Sequence, residues 1–117
     1  MFDFEKLDVY KKAKKFYCAN LNLIRGNNLD RIIENQLSRA ALSVVLNLVE
    51  GSGRFSKADR AHFYVMSRSS LFECTAVIDI LRDEKMISIE SHSNLYNKSE
   101  ELSKILFTMI RNLKIKK

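Results

Sequence analysis

The chain has 117 residues, 46% of them hydrophobic and 29% charged, which suits one compact domain with one core and leaves too little for a second. It has no proline, no tryptophan and only three glycines, and little of the Val/Ile/Thr alternation of strands, so composition points to an all-helical fold and weakly against stacking sites for sugars or nucleobases. The net charge of +6 is unevenly spread, since Lys6, Lys11, Lys12, Lys14, Lys15 and Arg25 fall in the first segment and Lys104, Arg111, Lys114, Lys116 and Lys117 in the last. Side by side, those segments would form one basic surface that attracts phosphate; the plainer reading is a solvated face.

The opening "MFDFEKLDVY" is acidic where a signal peptide is basic, and no apolar run approaches the ~18 residues of a membrane span, so a cytoplasmic protein without membrane contact is expected. The first helix is predicted over residues 4–25, with Leu7, Tyr10, Ala13, Tyr17, Leu21 and Ile24 at steps of three and four. It stops at residues 26–28, "GNN", where glycine or asparagine can turn left-handed. The second helix is predicted over 29–52, ended by Gly51 and Gly53. After "GRFS", Ser56 caps a third helix over 57–85 because Asp59 follows three residues on. Its core stripe is Phe63, Met66, Ser70, Cys74, Val77 and Leu81. The fourth helix, over 92–114, repeats the pattern with Leu95, Leu102, Ile105, Leu106, Met109, Ile110 and Leu113. Rods of similar length joined by short connections make an antiparallel up-down-up-down four-helix bundle, a single domain over 1–117.

Cys18 and Cys74 lie far apart within helices, without CxxC or Cys/His spacing, and are expected to be free and buried; no metal or cofactor is implied. Neither His62 nor His92 has a glutamate three residues before it, as a di-metal bundle needs; His62 is expected on the surface and His92 in a loop or cap.

The second helix raises the question of function. Gln36, Arg39, Ser43, Asn47, Glu50 and Arg54 fall within an arc of roughly 80° on it, while most of the remaining circumference from 37 to 49 is apolar. An apolar arc that wide exceeds what one bundle covers. The third helix has the same surplus in Val65, Phe72 and Ala76, almost opposite its core stripe. Both point to a homo-oligomer. The polar stripe has candidate partners beside the core line of the third helix in Ser67, Ser70 and Glu73, and a network of Gln36, Arg39, Ser43, Asn47, Glu50, Ser70 and Glu73 would satisfy it if buried, with Glu73 spaced to meet Arg39.

The stretch "QLSRAALSVVLNLVEGSGRFSKADRAHFYVMSRSSLFE", residues 36–73, resembles the motif of small bacterial four-helix-bundle proteins similar to those encoded in intervening sequences of large-subunit (23S) ribosomal RNA genes. Gln36, Arg39-Ala40, Ser43, Asn47, Glu50-Gly51, Arg54, Ser70 and Glu73 carry it, and it extends to "FEKLDVYKKA" and "ILFTMIRNL". Two features depart from the pattern: "RGNNLD" replaces a proline-containing connection, and Ser69 stands where a glycine is common. The resemblance implies a four-helix bundle, a closed pentameric ring and no established enzymatic activity. It also implies kinship of fold with the accessory protein of diversity-generating retroelements, a basic ring that binds nucleic acid and a reverse transcriptase.

Three readings of function stay open. One is a non-enzymatic oligomeric scaffold that binds RNA or DNA phosphate through Lys11, Lys12, Lys15, Arg54, Lys57, Arg60 and Lys114, with little sequence preference because no helix-turn-helix, zinc finger or RNP motif is present. Another is a structural or protein-binding oligomer whose charge only solvates it. The third is an enzyme using Glu50 and Glu73 as a carboxylate pair, which fits less well because each has an arginine or asparagine to match it.

Overall fold

The computed structural model describes residues 1–114; Lys116 and Lys117 lie outside the described residues. A 3₁₀ turn at Asp3–Lys6 leads into four helices, α1 (Asp8–Arg25), α2 (Arg31–Ser52), α3 (Lys57–Asp83) and α4 (Ile89–Lys114). Each helix packs on its neighbours in sequence and α1 closes the cycle against α4, an elongated all-α bundle of 49 × 27 × 22 Å. No strand is present among the described residues.

The ends of the helices follow local chemistry. Gly26 stops α1 while staying right-handed (φ −87°), and Asn27 caps the helix by donating from Nδ2 to the Leu23 carbonyl at 2.9 Å, so no left-handed residue is used. Asp30 caps α2 by accepting from the Ile32 amide at 2.7 Å, and Ser56 caps α3 by accepting from the Asp59 amide at 3.0 Å, as the spacing predicts. Four ends differ from expectation: α1 begins at Asp8 instead of 4, since Asp3–Lys6 form a separate 3₁₀ turn, α2 begins at Arg31 instead of 29, and the end of α3 and the start of α4 shift as well. Lys85 is left-handed (φ 59°) and the Met86 amide reaches back to the Leu81 carbonyl at 2.8 Å, so α3 closes at Asp83 instead of running to 85. Ser88 accepts from the Ser91 amide at 3.0 Å and starts α4 at Ile89, which places His92 in its first turn. His92 is therefore buried, not a loop residue, and its Nε2 lies 3.0 Å from Asp79 Oδ1.

The core centres on Phe16, Leu37, Val44, Leu48, Leu71, Ile78, Leu81, Leu95, Leu102 and Leu106. On α1 the buried line is Val9, Ala13, Phe16, Asn20 and Leu23, so the predicted stripe shares only Ala13 with it; the other members flank the core half-buried. On α3 the line is Ala61, Tyr64, Ser67, Leu71, Cys74, Ile78 and Leu81, with Phe63, Ser70 and Val77 at its rim and Met66 exposed. In both helices apolar residues cover more than one face, and periodicity alone does not say which row the neighbours cover.

Small residues bring α2 and α3 close. Ser67 is buried and donates its hydroxyl to the Val44 carbonyl at 2.7 Å. Gly51 lies inside the last turn of α2, where a Cβ would come within 2.8 Å of the Tyr64 ring and 3.1 Å of the Arg60 carbonyl. Tyr64 reaches on to Ser52, hydroxyl to hydroxyl, at 3.0 Å. Gly51 is thus a packing residue. Gly53 supplies the stop, its amide donating to the Val49 and Glu50 carbonyls.

Cys18 is exposed, contrary to expectation, because it sits off the buried line of α1; Cys74 is buried. Burial, helped by the neighbouring Glu73 carboxylate, pushes the Cys74 thiol up to about 12. At pH 8, a thiol reagent will titrate one cysteine of the native protein quickly, and the second only on unfolding; fast reaction of both contradicts this packing. Gly51→Ala is expected to destabilise the bundle by about 1–3 kcal/mol, because the added methyl meets ring and backbone. Gly53→Ala, with no atom closer than 3.7 Å to its added carbon and an ordinary φ, changes stability by less than about 1 kcal/mol. Paired thermal melts test the contrast.

Candidate functional site

The polar stripe of α2 is divided between a half-buried seam and solvent. Ser43 and Ser70 share a hydrogen bond at 2.8 Å, and Asn47 donates from Nδ2 to the Ser43 hydroxyl at 2.8 Å and to its carbonyl at 3.0 Å. These three side chains form the seam between α2 and α3. Gln36, Arg39 and Glu73 are exposed and line one surface depression with Ser43 and Ser70, but Arg39 and Glu73 form no ion pair. Glu50 is exposed and bonds Arg54, one turn on, at 2.6 Å. The seam is a local bond set rather than a network spanning all seven residues, because the stripe twists out of the interface toward both ends of the helix.

Beside the seam lie apolar side chains that one chain leaves bare: Leu42 and Leu46 on α2, Met66 at the rim of α3, and Val65, Phe72 and Ile80 farther round α3, between 39% and 57% exposed. Ala76, the remaining member of the second α3 stripe, is exposed as well.

The basic residues form two groups. The bonds from Arg68 to the Ser103 carbonyl and between Asp79 and His92 set an antiparallel register in which Lys57 stands level with Lys114, and Arg60 with Arg111. Arg54, Lys57, Arg60, Arg111 and Lys114 therefore share the end of the bundle made by the α2–α3 turn and the last turns of α4. The ion pair from Lys12 on α1 to Glu101 on α4 places Lys12 level with Ser70 instead, roughly 20 Å along the axis at a rise of about 1.5 Å per residue. Lys11, Lys12 and Lys15 thus lie at mid-height, apart from the other group. Lys12 is also compensated, at 3.2 Å from Glu101 and 3.7 Å from Asp8, and the hydrogen bond and charge of Glu101 raise its pKa above the usual lysine value.

At the basic end the turn is held from several sides. The Arg54 guanidinium stacks over Phe63 at 4.6 Å while its carbonyl accepts from Arg60 Nε at 2.7 Å. Lys57, Arg111 and Lys114 are exposed and make no ion pair among the described residues. Lys114 is among the residues expected from the sequence and Arg111 is not; the signal for Arg111 is the loss of all acids after Glu101.

The two carboxylates considered for acid–base chemistry are not brought together. Glu50 and Glu73 are on different helices without mutual contact, and Glu50 is held by arginine. The buried His92 ring is fixed between Asp79 and the face of Tyr96, 5.6 Å away, and His62 is exposed against Phe63. No group of three or more metal-ligating side chains occurs among the described residues, and no described helix is long and apolar enough to cross a membrane.

The fold is shared with a crystal structure of a protein of unknown function of the S23 ribosomal protein family from Bacteroides thetaiotaomicron, with a TM-score of 0.84 at 22% identity over 88% of this chain and 98% of that one. No curated protein sequence matches. The model of the 23S rRNA-intervening sequence protein family matches residues 5–108, a span that holds the seam, the α2–α3 turn and the apolar face, so the chain belongs to that family.

Proposed function

We propose that the chain is a non-enzymatic scaffold that self-assembles through the bare face of α2 and α3 and holds nucleic-acid phosphate at its basic end. The observation that carries the second half is the convergence of Arg54, Lys57, Arg60, Arg111 and Lys114 at one end of the bundle, with Glu50 and Asp59 as the acids nearest in sequence. Cations fixed on helix ends attract phosphate without reading bases, so binding is salt-sensitive and tolerant of sequence. Lys57 and Arg111 keep their charge unspent, whereas Lys12 has two carboxylates and contributes less.

Assembly is supported by bare apolar side chains on two flanks of the α2–α3 pair, Leu42, Leu46 and Met66 beside the seam and Val65 and Phe72 on the side of α3 toward α4. The seam of Ser43, Asn47 and Ser70 borders the first of these flanks and would be sealed by a neighbouring copy, a step toward the closed pentameric ring that the family resemblance implies. The competing reading is a protein-binding oligomer with no nucleic-acid role.

Two experiments separate these. In a salt titration with an RNA oligonucleotide, Lys57→Glu, Arg111→Glu and Lys114→Glu together should abolish retention at low salt, each reversal lowering the slope of log K on log salt by about 0.7–0.9; Lys11→Glu with Lys15→Glu should weaken binding less. Wild-type protein that retains neither RNA nor DNA at about 50 mM salt overturns the nucleic-acid reading. Independently, the solution mass at micromolar concentration is expected to exceed that of one chain and to fall to it on Leu46→Lys. A wild-type monomer refutes assembly.

A further inference from the structure

Phe55, in the turn between α2 and α3, is 102% exposed, as bare as in an isolated peptide. Such a side chain gains nothing from folding, since hydrophobic stabilisation scales with the area removed from water. Nor does the turn need it, as turns of this kind favour Gly, Asn, Asp or Ser. The backbone on either side of Phe55 is tied down by hydrogen bonds. On one side the Gly53 amide donates to the Val49 and Glu50 carbonyls and the Arg54 amide to the Gly51 carbonyl; on the other, Ser56 caps α3 and the Arg54 carbonyl accepts from Arg60. The backbone that carries the ring is therefore fixed at the basic end, with Arg54 before it and Lys57 and Arg60 after it. Asp59 is the exposed acid closest to it, and Glu50 is taken by Arg54.

An aromatic ring between phosphate-binding cations is the arrangement that holds single strands, because every unpaired base offers a π-face for stacking. In a duplex those faces are covered already, and insertion would first have to unstack a step at a cost of a few kcal/mol. Resting on the nucleic-acid reading above, we propose that Phe55 is a stacking platform for one unpaired base, with Lys57 and Arg111 on the flanking phosphates, so that the basic end selects single-stranded over duplex nucleic acid. Composition argues weakly against a stacking site because tryptophan is absent; it does not register where a phenylalanine is placed.

That absence provides the test, since Phe55→Trp introduces the only tryptophan. Its fluorescence should be quenched on titration with a single-stranded oligouridylate and not with a blunt RNA duplex of the same length. Phe55→Ala should weaken oligouridylate binding by about tenfold or more while duplex affinity and the salt slope stay as in wild type. Its melting temperature should also be unchanged, because the ring is buried against nothing. Equal loss on both ligands, or no loss on either, overturns the stacking role while leaving the phosphate reading intact. A fall in solution mass on Phe55→Ala would make the ring a contact between copies instead. A blue shift of the Phe55→Trp variant's emission on phosphatidylserine vesicles, without quenching by oligouridylate, would make the position a membrane anchor. Wild-type protein that binds neither nucleic acid removes both readings together.

Discussion

The close approach of α2 and α3 is the constraint on which the rest of the bundle depends. It is made by small residues: Gly51 on α2 leaves the space that Tyr64 of α3 fills, and Ser67 on α3 answers the Val44 carbonyl directly. A serine hydroxyl buried among apolar side chains costs about 1–3 kcal/mol without a partner, and the partner of Ser67 is a backbone carbonyl that fixes the axial position of one helix on the other. Ser43 with Ser70 on the rim and Ser52 with Tyr64 at the end repeat the same register. Once that pair is set, α4 is placed on α3 by Arg68 and by the Asp79–His92 contact, and α1 fills the remaining side with Phe16 in the core.

The number of helices, their order and half of their ends were legible because breaks in this chain are local events. "GNN", "GRFS" with its capping serine, and the polar joint before α4 each act within a few residues. Which row of a helix faces inward was less legible. On α1 the row through Phe16 and Asn20 competes with a row through Tyr17 and Leu21 of equal apolarity, and the choice is made by α2 and α4, which a one-dimensional pattern does not contain. Asn20 shows why pattern misleads: an asparagine reads as a surface residue, yet it is buried, donating to the Phe16 carbonyl of its own helix at 2.8 Å. Gly51 misleads in the opposite direction, since a glycine near a helix end reads as a stop when it is in fact the space into which Tyr64 packs.

The candidate site was legible as a list of charges and not as a place. Lysines on the first helix and cations near the turn and the C-terminus looked equivalent in sequence. Register separates them, because α1 begins well along the bundle and the end nearest Lys57 is made by α2, α3 and α4. Pairing separates them again: a lysine held by Glu101 and Asp8 must give up those contacts before it meets a phosphate, whereas an exposed, unpaired one has nothing to exchange but water and counterions. Arg54 and Arg60 occupy a middle position, since their guanidinium groups hold the turn while adding to the local field.

The two halves of the proposed function depend on one another. Few cations at one end of a bundle make a weak phosphate site, and one stacking ring adds a factor of ten or so rather than of thousands. A closed assembly changes the arithmetic, because copies related by rotation present the same basic end in the same direction, and a strand engaged by one copy meets the next at high effective concentration. Assembly through the faces of α2 and α3 leaves the turn at their end uncovered, so the surface that would join copies and the surface that would hold nucleic acid do not compete. On that proposal the fixed backbone of the α2–α3 turn would serve more than folding: a ring of identical platforms gains from multivalency only if each is held at a fixed position relative to the next, and the helix pair that sets the register of the bundle also sets the backbone position of Phe55.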